Sequence, residues 1–574
     1  METEIWRPIL AIGLLLGLAA ITASAESSQP SGSAEPISEA FGLFSDDEIG
    51  GGDEDLPVIV IFKDGAKKEL EGLDVERTYA IINGVSGTAN SSVLEKLAAN
   101  PNVAGIYPDG KVEASQLTNA TADNTTISAT DKVNAKPLWD RGINGSGVVV
   151  AVLDSGIDKN HPDLAGKVVG EVNFVDTERT TDDLLGHGTA VAGLIAGSGT
   201  ASGGEYMGAA PGASLLNVRV IDSQGSGQIS DIIAGIDWAV ENDADVLTMS
   251  LGGLNLGESN PPISMAADNA MDAGTVVCVA AGNLDERLLL LMLVASSVSL
   301  GGIESPGDGV KVITVGATDC DDRIADFSGS GPLRDGRYKP TLVAPGVNVV
   351  STVPPNLDIE GKINNYYTGA SGTSLSTPVV AGVAALLIQA EPDLTPAGVK
   401  AALTRGALKL SNTQDEEYEA YYQGAGLLDA ERSFEVLGTD SLCGVVPDHW
   451  SAGRWVYGDI WVSGDDTVYE SLDTGADRYQ KKMYALAPGD VDWNSRFLFF
   501  TDKNLSKVTT TASGATADWT MVQPLPEEIP ANGQRVFGAS ISVPEDAAPG
   551  RYTGSIDVAE NGRASCRERV YGLV

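Results

Sequence analysis

Val148-Val-Val-Ala-Val-Leu-Asp154, running into Ser155-Gly156, is the stretch on which the reading of the fold turns. Six successive apolar residues without polar alternation describe a strand that must be covered on both faces. Apolar runs of the same kind recur at 245–251, 275–281 and 312–315, with helix-like stretches such as 229–240 between them. Buried strands alternating with helices predict an α/β domain over 132–434, a mainly parallel sheet with helices on both faces. In such sheets functional groups gather beyond the carboxyl ends of the strands, and Asp154 stands at one of those ends. Read alone, Asp-Ser-Gly is an ordinary turn.

Two further stretches carry chemistry. Gly186-His-Gly-Thr189 places one of only three histidines at the start of a small-residue helix, with glycine on each side. Flanking glycines imply close packing around the ring. His161, in His161-Pro-Asp-Leu164, reads as structural, and His449 as superficial. Gly372-Thr-Ser-Leu-Ser-Thr-Pro378 sets Ser374 at the mouth of a helix over 379–390 that is apolar nearly all round and hence buried. Pro378 is expected in the first turn of that helix, and Ser374 by itself reads as an N-cap.

Taken together, in this order on one α/β segment, these motifs resemble the subtilisin-like serine peptidases, in which the triad runs Asp, His, Ser along the chain. The resemblance implies a serine endopeptidase with Asp154, His187 and Ser374 as catalytic residues. It implies that Asn283, in Ala280-Ala-Gly-Asn283, donates to the oxyanion. It implies that Ser250, Leu251 and Gly252, in Ser250-Leu-Gly-Gly253, form an edge that pairs with an extended substrate backbone. Read without the resemblance, both segments are strand-end turns. Glu304, just before Ser305-Pro-Gly307, occupies the position where the family commonly has glycine at the floor of its primary specificity pocket. A carboxylate there favours Lys or Arg before the cut. No cofactor is required for the chemistry. Family members often bind structural Ca²⁺, but no acidic cluster here has a regular ligand spacing, so no metal residue is named.

Working outward, 57–116 reads as a small α+β unit. Val58-Ile-Val-Ile-Phe62 and 103–107 are strand candidates, and Ser92-Val-Leu-Glu95 is a capping box opening a short helix through Ala99. Pro101-Asn-Val and Tyr107-Pro-Asp-Gly-Lys-Val resemble the family's inhibitory propeptide, which implies that the chain is its own first partner and is cut between about Ala114 and Thr130. The polar stretch 117–131 reads as a processing linker and holds the glycosylation patterns Asn119-Ala-Thr121 and Asn124-Thr-Thr126. Residues 26–56 read as an acidic flexible linker, and 1–25 as a signal peptide: an apolar run over 9–21 followed by Ala23-Ser-Ala25. Glu2 and Glu4 oppose Arg7, which keeps a retained N-terminal anchor as the other reading. Past 435 the helices give way to short alternating strands with Pro-Gly turns, a β-sandwich-like domain over 435–574 whose last residues, 563–574, do not continue the pattern.

Composition bounds the partners. Seventy-nine acidic against 37 basic residues, a net charge of -42, repel nucleic acid and anionic membrane. The expected substrates are polypeptides and the expected location is secreted, or held at the cell surface. Four scattered cysteines with no CxxC pair exclude a zinc ribbon or redox motif, with Cys278 in the core and Cys320 exposed. The apolar stretch over 284–300 departs from the short polar loop usual in the family. It motivates one alternative reading, an inactive subtilisin-like scaffold; Trp450, Trp455, Trp461 and Trp493 motivate another, a surface-binding protein acting through its C-terminal β domain.

Overall fold

The computed structural model describes residues 55–63, 65, 72–114, 118–119, 126–253, 260–283, 302–331, 333, 337–359, 362–413 and 417–437, and strands and short stretches between 443 and 568. The signal segment, most of the acidic linker and the apolar stretch 284–300 lie outside them.

The N-terminal unit contains β1 (Leu56–Phe62), β2 (Asp74–Thr78), β3 (Gly84–Ala89), α1 (Ser91–Ala98) and β4 (Val103–Pro108). The strands form an antiparallel sheet in the order β2-β3-β1-β4. Val58, Val60 and Phe62 of β1 alternate onto the face covered by Leu94 and Leu97 of α1. The helix starts one residue before the predicted Ser92, because the side chain of Asn90 accepts from the Val93 N–H and caps it. Two short strands follow, β5 (Lys111–Ala114) and β6 (Thr118–Asn119), inside what the sequence suggested was the unit's end and a linker.

The main domain runs β7 (Val149–Asp154), β8 (Val168–Asn173), α2 (His187–Ala196), β9 (Ser214–Arg219), β10 (Ser226–Gln228), α3 (Ile229–Glu241), β11 (Val246–Met249), β12 (Leu251–Gly252), α4 (Pro262–Ala273), β13 (Val276–Ala280), β14 (Ile313–Thr318), β15 (Leu342–Pro345), β16 (Val349–Thr352), β17 (Tyr367–Ser371), α5 (Thr373–Ala390) and α6 (Pro396–Gly406). Seven strands form one parallel sheet, ordered β15-β14-β13-β11-β7-β9-β8.

The apolar runs now have a two-sided explanation. Val150 and Val152 of β7 join Val246, Val276 and Cys278 in a core with α2 and α5, while Ala151 and Leu153 join Leu247, Val277 and Val279 in a core with α3 and α4. Each fully buried Val or Leu contributes roughly 1.5–3 kcal/mol to this layering. Ile59, Ile61, Tyr79 and Ile82 of the N-terminal unit also enter the second core, so the unit is docked on α3 and α4. Polar contacts fix the docking: Asp237 accepts from the backbone N–H groups of Ala80 and Ile81 at 2.7 and 2.9 Å, and Arg77 pairs with Asp231 at 2.6 Å.

The helix after Ser374 begins earlier than expected. α5 starts at Thr373, so Pro378 lies inside it rather than in its first turn. It is the one helix among the described residues long and apolar enough to cross a membrane, and it is mostly buried in the core. Before β14, the segment 310–312 is gripped on both sides of its peptide groups. Asp268 accepts from the three N–H groups, and the Lys400 ammonium donates to the three carbonyls at 2.9–3.4 Å. Lys339 donates to the carbonyl of Val312 and to Thr314 beside it; burial, then the neighbouring charges of Lys400 and Arg337, push its own pKa well down.

Beyond 437 the described strands form two larger antiparallel sheets and one two-stranded pair, Leu505–Ser506 with Glu528–Ile529. Val491–Thr501 lies between Cys443–His449 and Gly533–Ser542, with Thr520–Val522 at the edge. Gly550–Glu560 pairs with Asp459–Val462, Val508–Gly514 and Arg563–Glu568. The last of these corrects the sequence reading: Arg563–Glu568 is a strand. Its polar composition hid it, because an edge strand is held by backbone pairing and needs no apolar face.

Candidate active site

Asp154 ends β7 and His187 opens α2, so two elements far apart in sequence present their termini to each other. The Nδ1 of His187 lies 2.7 Å from Asp154 Oδ1, with both side chains almost wholly buried. Gly188 allows this approach: a Cβ there would lie 2.1 Å from the Gly156 carbonyl and 3.2 Å from Asp154 Oδ1. With Asp154 on Nδ1, the proton belongs on that nitrogen and Nε2 is the free base. Burial works against the imidazolium, but the charge and hydrogen bond of Asp154, with the charge of Asp183, outweigh it and raise the His187 pKa.

Ser374 is the second residue of α5 and is buried. Its Oγ and the Nε2 of His187 have no hydrogen-bond partner, so the two are not yet joined. Such bonds often tighten only with substrate in place. The Asn283 carbonyl oxygen accepts from the N–H and hydroxyl of Thr373 at 2.9 and 3.0 Å, which turns its amide nitrogen the other way. That nitrogen lies 3.4 Å, and Ser374 Oγ 2.8 Å, from the point where a Cβ on residue 372 would stand. Glycine at 372 therefore keeps open a space faced by both groups.

The three substrate-edge residues separate into two roles. Leu251 and Gly252 form β12, but Ser250 is buried and its hydroxyl donates to the Ser374 carbonyl at 2.9 Å. Ser250 thus braces the helix behind Ser374 instead of lining the edge. The edge is occupied: β5 inserts antiparallel between β12 and β10, pairing Ala114 with Leu251, Glu113 with Gly252 and Val112 with Gly227. Next along the chain, Thr118 and Asn119 pair with Ser371 and Ala370 of β17, the strand that leads to Ser374.

Glu304 is half-buried, with its side chain between two glycines. A Cβ on Gly252 would lie 2.5 Å from Glu304 Oε2, and one on Gly282 would lie 2.8 Å from Glu304 Cδ. Backbone bonds from Glu304 to Ala281 and between Ser305 and Gly253 stitch this floor to both walls. Among the described residues no group of three or more His, Cys, Asp or Glu is arranged to hold a metal ion. Cys278 is buried, which raises its thiol pKa, and Cys320 is exposed; neither touches the site.

A base held by a buried carboxylate, and a buried serine that shares an open space with an amide donor, are the parts a serine-type endopeptidase needs. The profile of the subtilase family matches residues 145–426. Serine protease AprX of Bacillus subtilis is 39% identical over 377 residues, 61% of this chain and 79% of that protein. Subtilisin E of the same organism is 35% identical over 362 residues, 63% and 83% of the two chains. The thermostable alkaline protease of Halalkalibacterium halodurans is 32% identical over 366 residues, 64% and 87%. The chain belongs to the subtilase family.

Proposed function

We propose that this chain is a secreted endopeptidase made as a self-processed zymogen. Asp154, His187 and Ser374 are its triad. Ser374 Oγ attacks the scissile carbonyl while His187 Nε2 takes its proton; Asp154 holds the imidazole and stabilises the imidazolium. The Asn283 amide and the Ser374 N–H bind the oxyanion, and loss of such a donor in a subtilisin costs about 2.7–4 kcal/mol. His187 then protonates the leaving amine, and water releases the acyl group by the same steps in reverse. No step uses a cofactor, and a structural Ca²⁺ has no role in the chemistry.

The single observation that carries this reading is the buried Asp154–His187 pair, with the chain's own strand β5 lying along Leu251 and Gly252. Pairing of Ala114 with Leu251 and of Thr118 with Ser371 supports a cut between Ala114 and Thr118, at the near end of the range expected from sequence. The test is fluorophosphonate labelling of the full chain beside Ser374→Ala. Labelling and loss of the segment before Thr118 in wild type alone is the expected result. A folded wild type that neither labels nor cuts itself would overturn the reading in favour of a binding scaffold.

The same site has a preferred substrate. The Glu304 carboxylate between Gly252 and Gly282 supports selection of Lys or Arg immediately before the cut. Cleavage profiling on a denatured protein is expected to show that preference, with Glu304→Gln lowering it at least tenfold; a wild-type preference for large apolar residues would sink it.

A further inference from the structure

Asp183 is a buried carboxylate that the reaction above does not use. It lies in the loop before α2 and accepts five hydrogen bonds. Oδ1 takes the Ser155 hydroxyl at 2.9 Å and the N–H groups of Leu185 and Gly186 at 3.0 and 2.7 Å. Oδ2 takes the N–H and hydroxyl of Thr189 at 2.8 and 2.6 Å. Both hydroxyls also accept from backbone, Ser155 from Gly188 and Thr189 from Asp158, and each donates to Asp183. Burial raises the Asp183 pKa, and these donors offset that only in part. Five donors converging on the two oxygens match the acceptor capacity of the carboxylate anion.

We propose that Asp183 is a positioning residue for the Asp154–His187 pair, locking the loop after Asp154 to the first turn of the helix that carries His187. Its partners flank both members: Ser155 follows Asp154, and Gly186 and Thr189 bracket His187. The lock fixes the spacing that sets the 2.7 Å contact. Its negative charge also favours the imidazolium that forms as Ser374 attacks.

The inference rests on the peptidase reading, and the test separates the two. Labelling rate against pH is measured for the processed wild type, Asp183→Asn and Ser155→Ala, with KM for a peptide substrate. In parallel, His187 is titrated by imidazole NMR in full-length chains carrying Ser374→Ala. Asp183→Asn is expected to slow labelling by about tenfold or more. It should leave KM within twofold and lower both the acid-limb midpoint and the His187 titration by about half a unit. Ser155→Ala keeps the charge and loses one strut; it should slow labelling without moving the midpoint. Unchanged rate and midpoint in Asp183→Asn would overturn the proposal. If that variant fails to fold, an unchanged rate in Ser155→Ala overturns it instead. A wild type that never labels would sink the peptidase reading, yet the NMR shift would still report on Asp183.

Discussion

Pro378 and Ser250 solve one local problem together. Pro378 has no N–H, so the Ser374 carbonyl one turn earlier loses its helical donor. The Ser250 hydroxyl, arriving from the end of β11, takes that donor's place at 2.9 Å. Ser250→Ala would leave a buried carbonyl unpaired, a loss of about 1–3 kcal/mol. We expect a lower Tm and a several-fold lower kcat, with Ser250→Thr retaining most of both; unchanged Tm and kcat in Ser250→Ala would refute this role. At this scale the sequence showed Asp154, His187 and Ser374 because each stands in a local motif. Asp183 and the bracing role of Ser250 were illegible, since their partners are set by tertiary contact and Asp183 sits in an unremarkable Asp182-Asp183 pair.

Among the elements, the buried strands β7, β11, β13 and β14 announced themselves as apolar runs. β8 did not, because Val168-Val-Gly-Glu-Val-Asn173 at the sheet edge is half-exposed and polar in part. β5 and β6 were unreadable because their strand form comes from borrowed edges. Docking of the N-terminal unit also has a pH dependence. Asp231 is pushed up to about 6, by burial first and by Asp176 and Asp109, against the opposing pull of Arg77. Released from the interface, it returns towards about 3.9. A carboxyl raised in the docked state takes up a proton on docking, so this contribution is full below about pH 4 and lost as pH rises through about 6. After processing, the cut segment should co-elute with the peptidase at pH 5 and separate more readily at pH 8. Asp231→Asn should flatten that difference, and a segment held equally at both pH values by the wild type would refute it.

At the scale of the whole molecule, the order of units was legible from changes in pattern: strand-helix alternation over the main domain, short strands after it, a small α+β unit before it. What the pattern could not show is that the N-terminal unit and the main domain share a core through Ile59, Ile61, Tyr79 and Ile82. A shared core depends on shape, and periodicity records only that a face is apolar. The net charge of -42 likewise says nothing of the few cations kept inside. Among these, Lys400 holds the carbonyls of 310–312, at the end of the segment that begins with Glu304. A free ion in such a ring would come and go with its concentration, and a chelator could strip it. A cation carried on a side chain has no dissociation constant, so this anchor before β14 holds equally in dilute buffer and in brine.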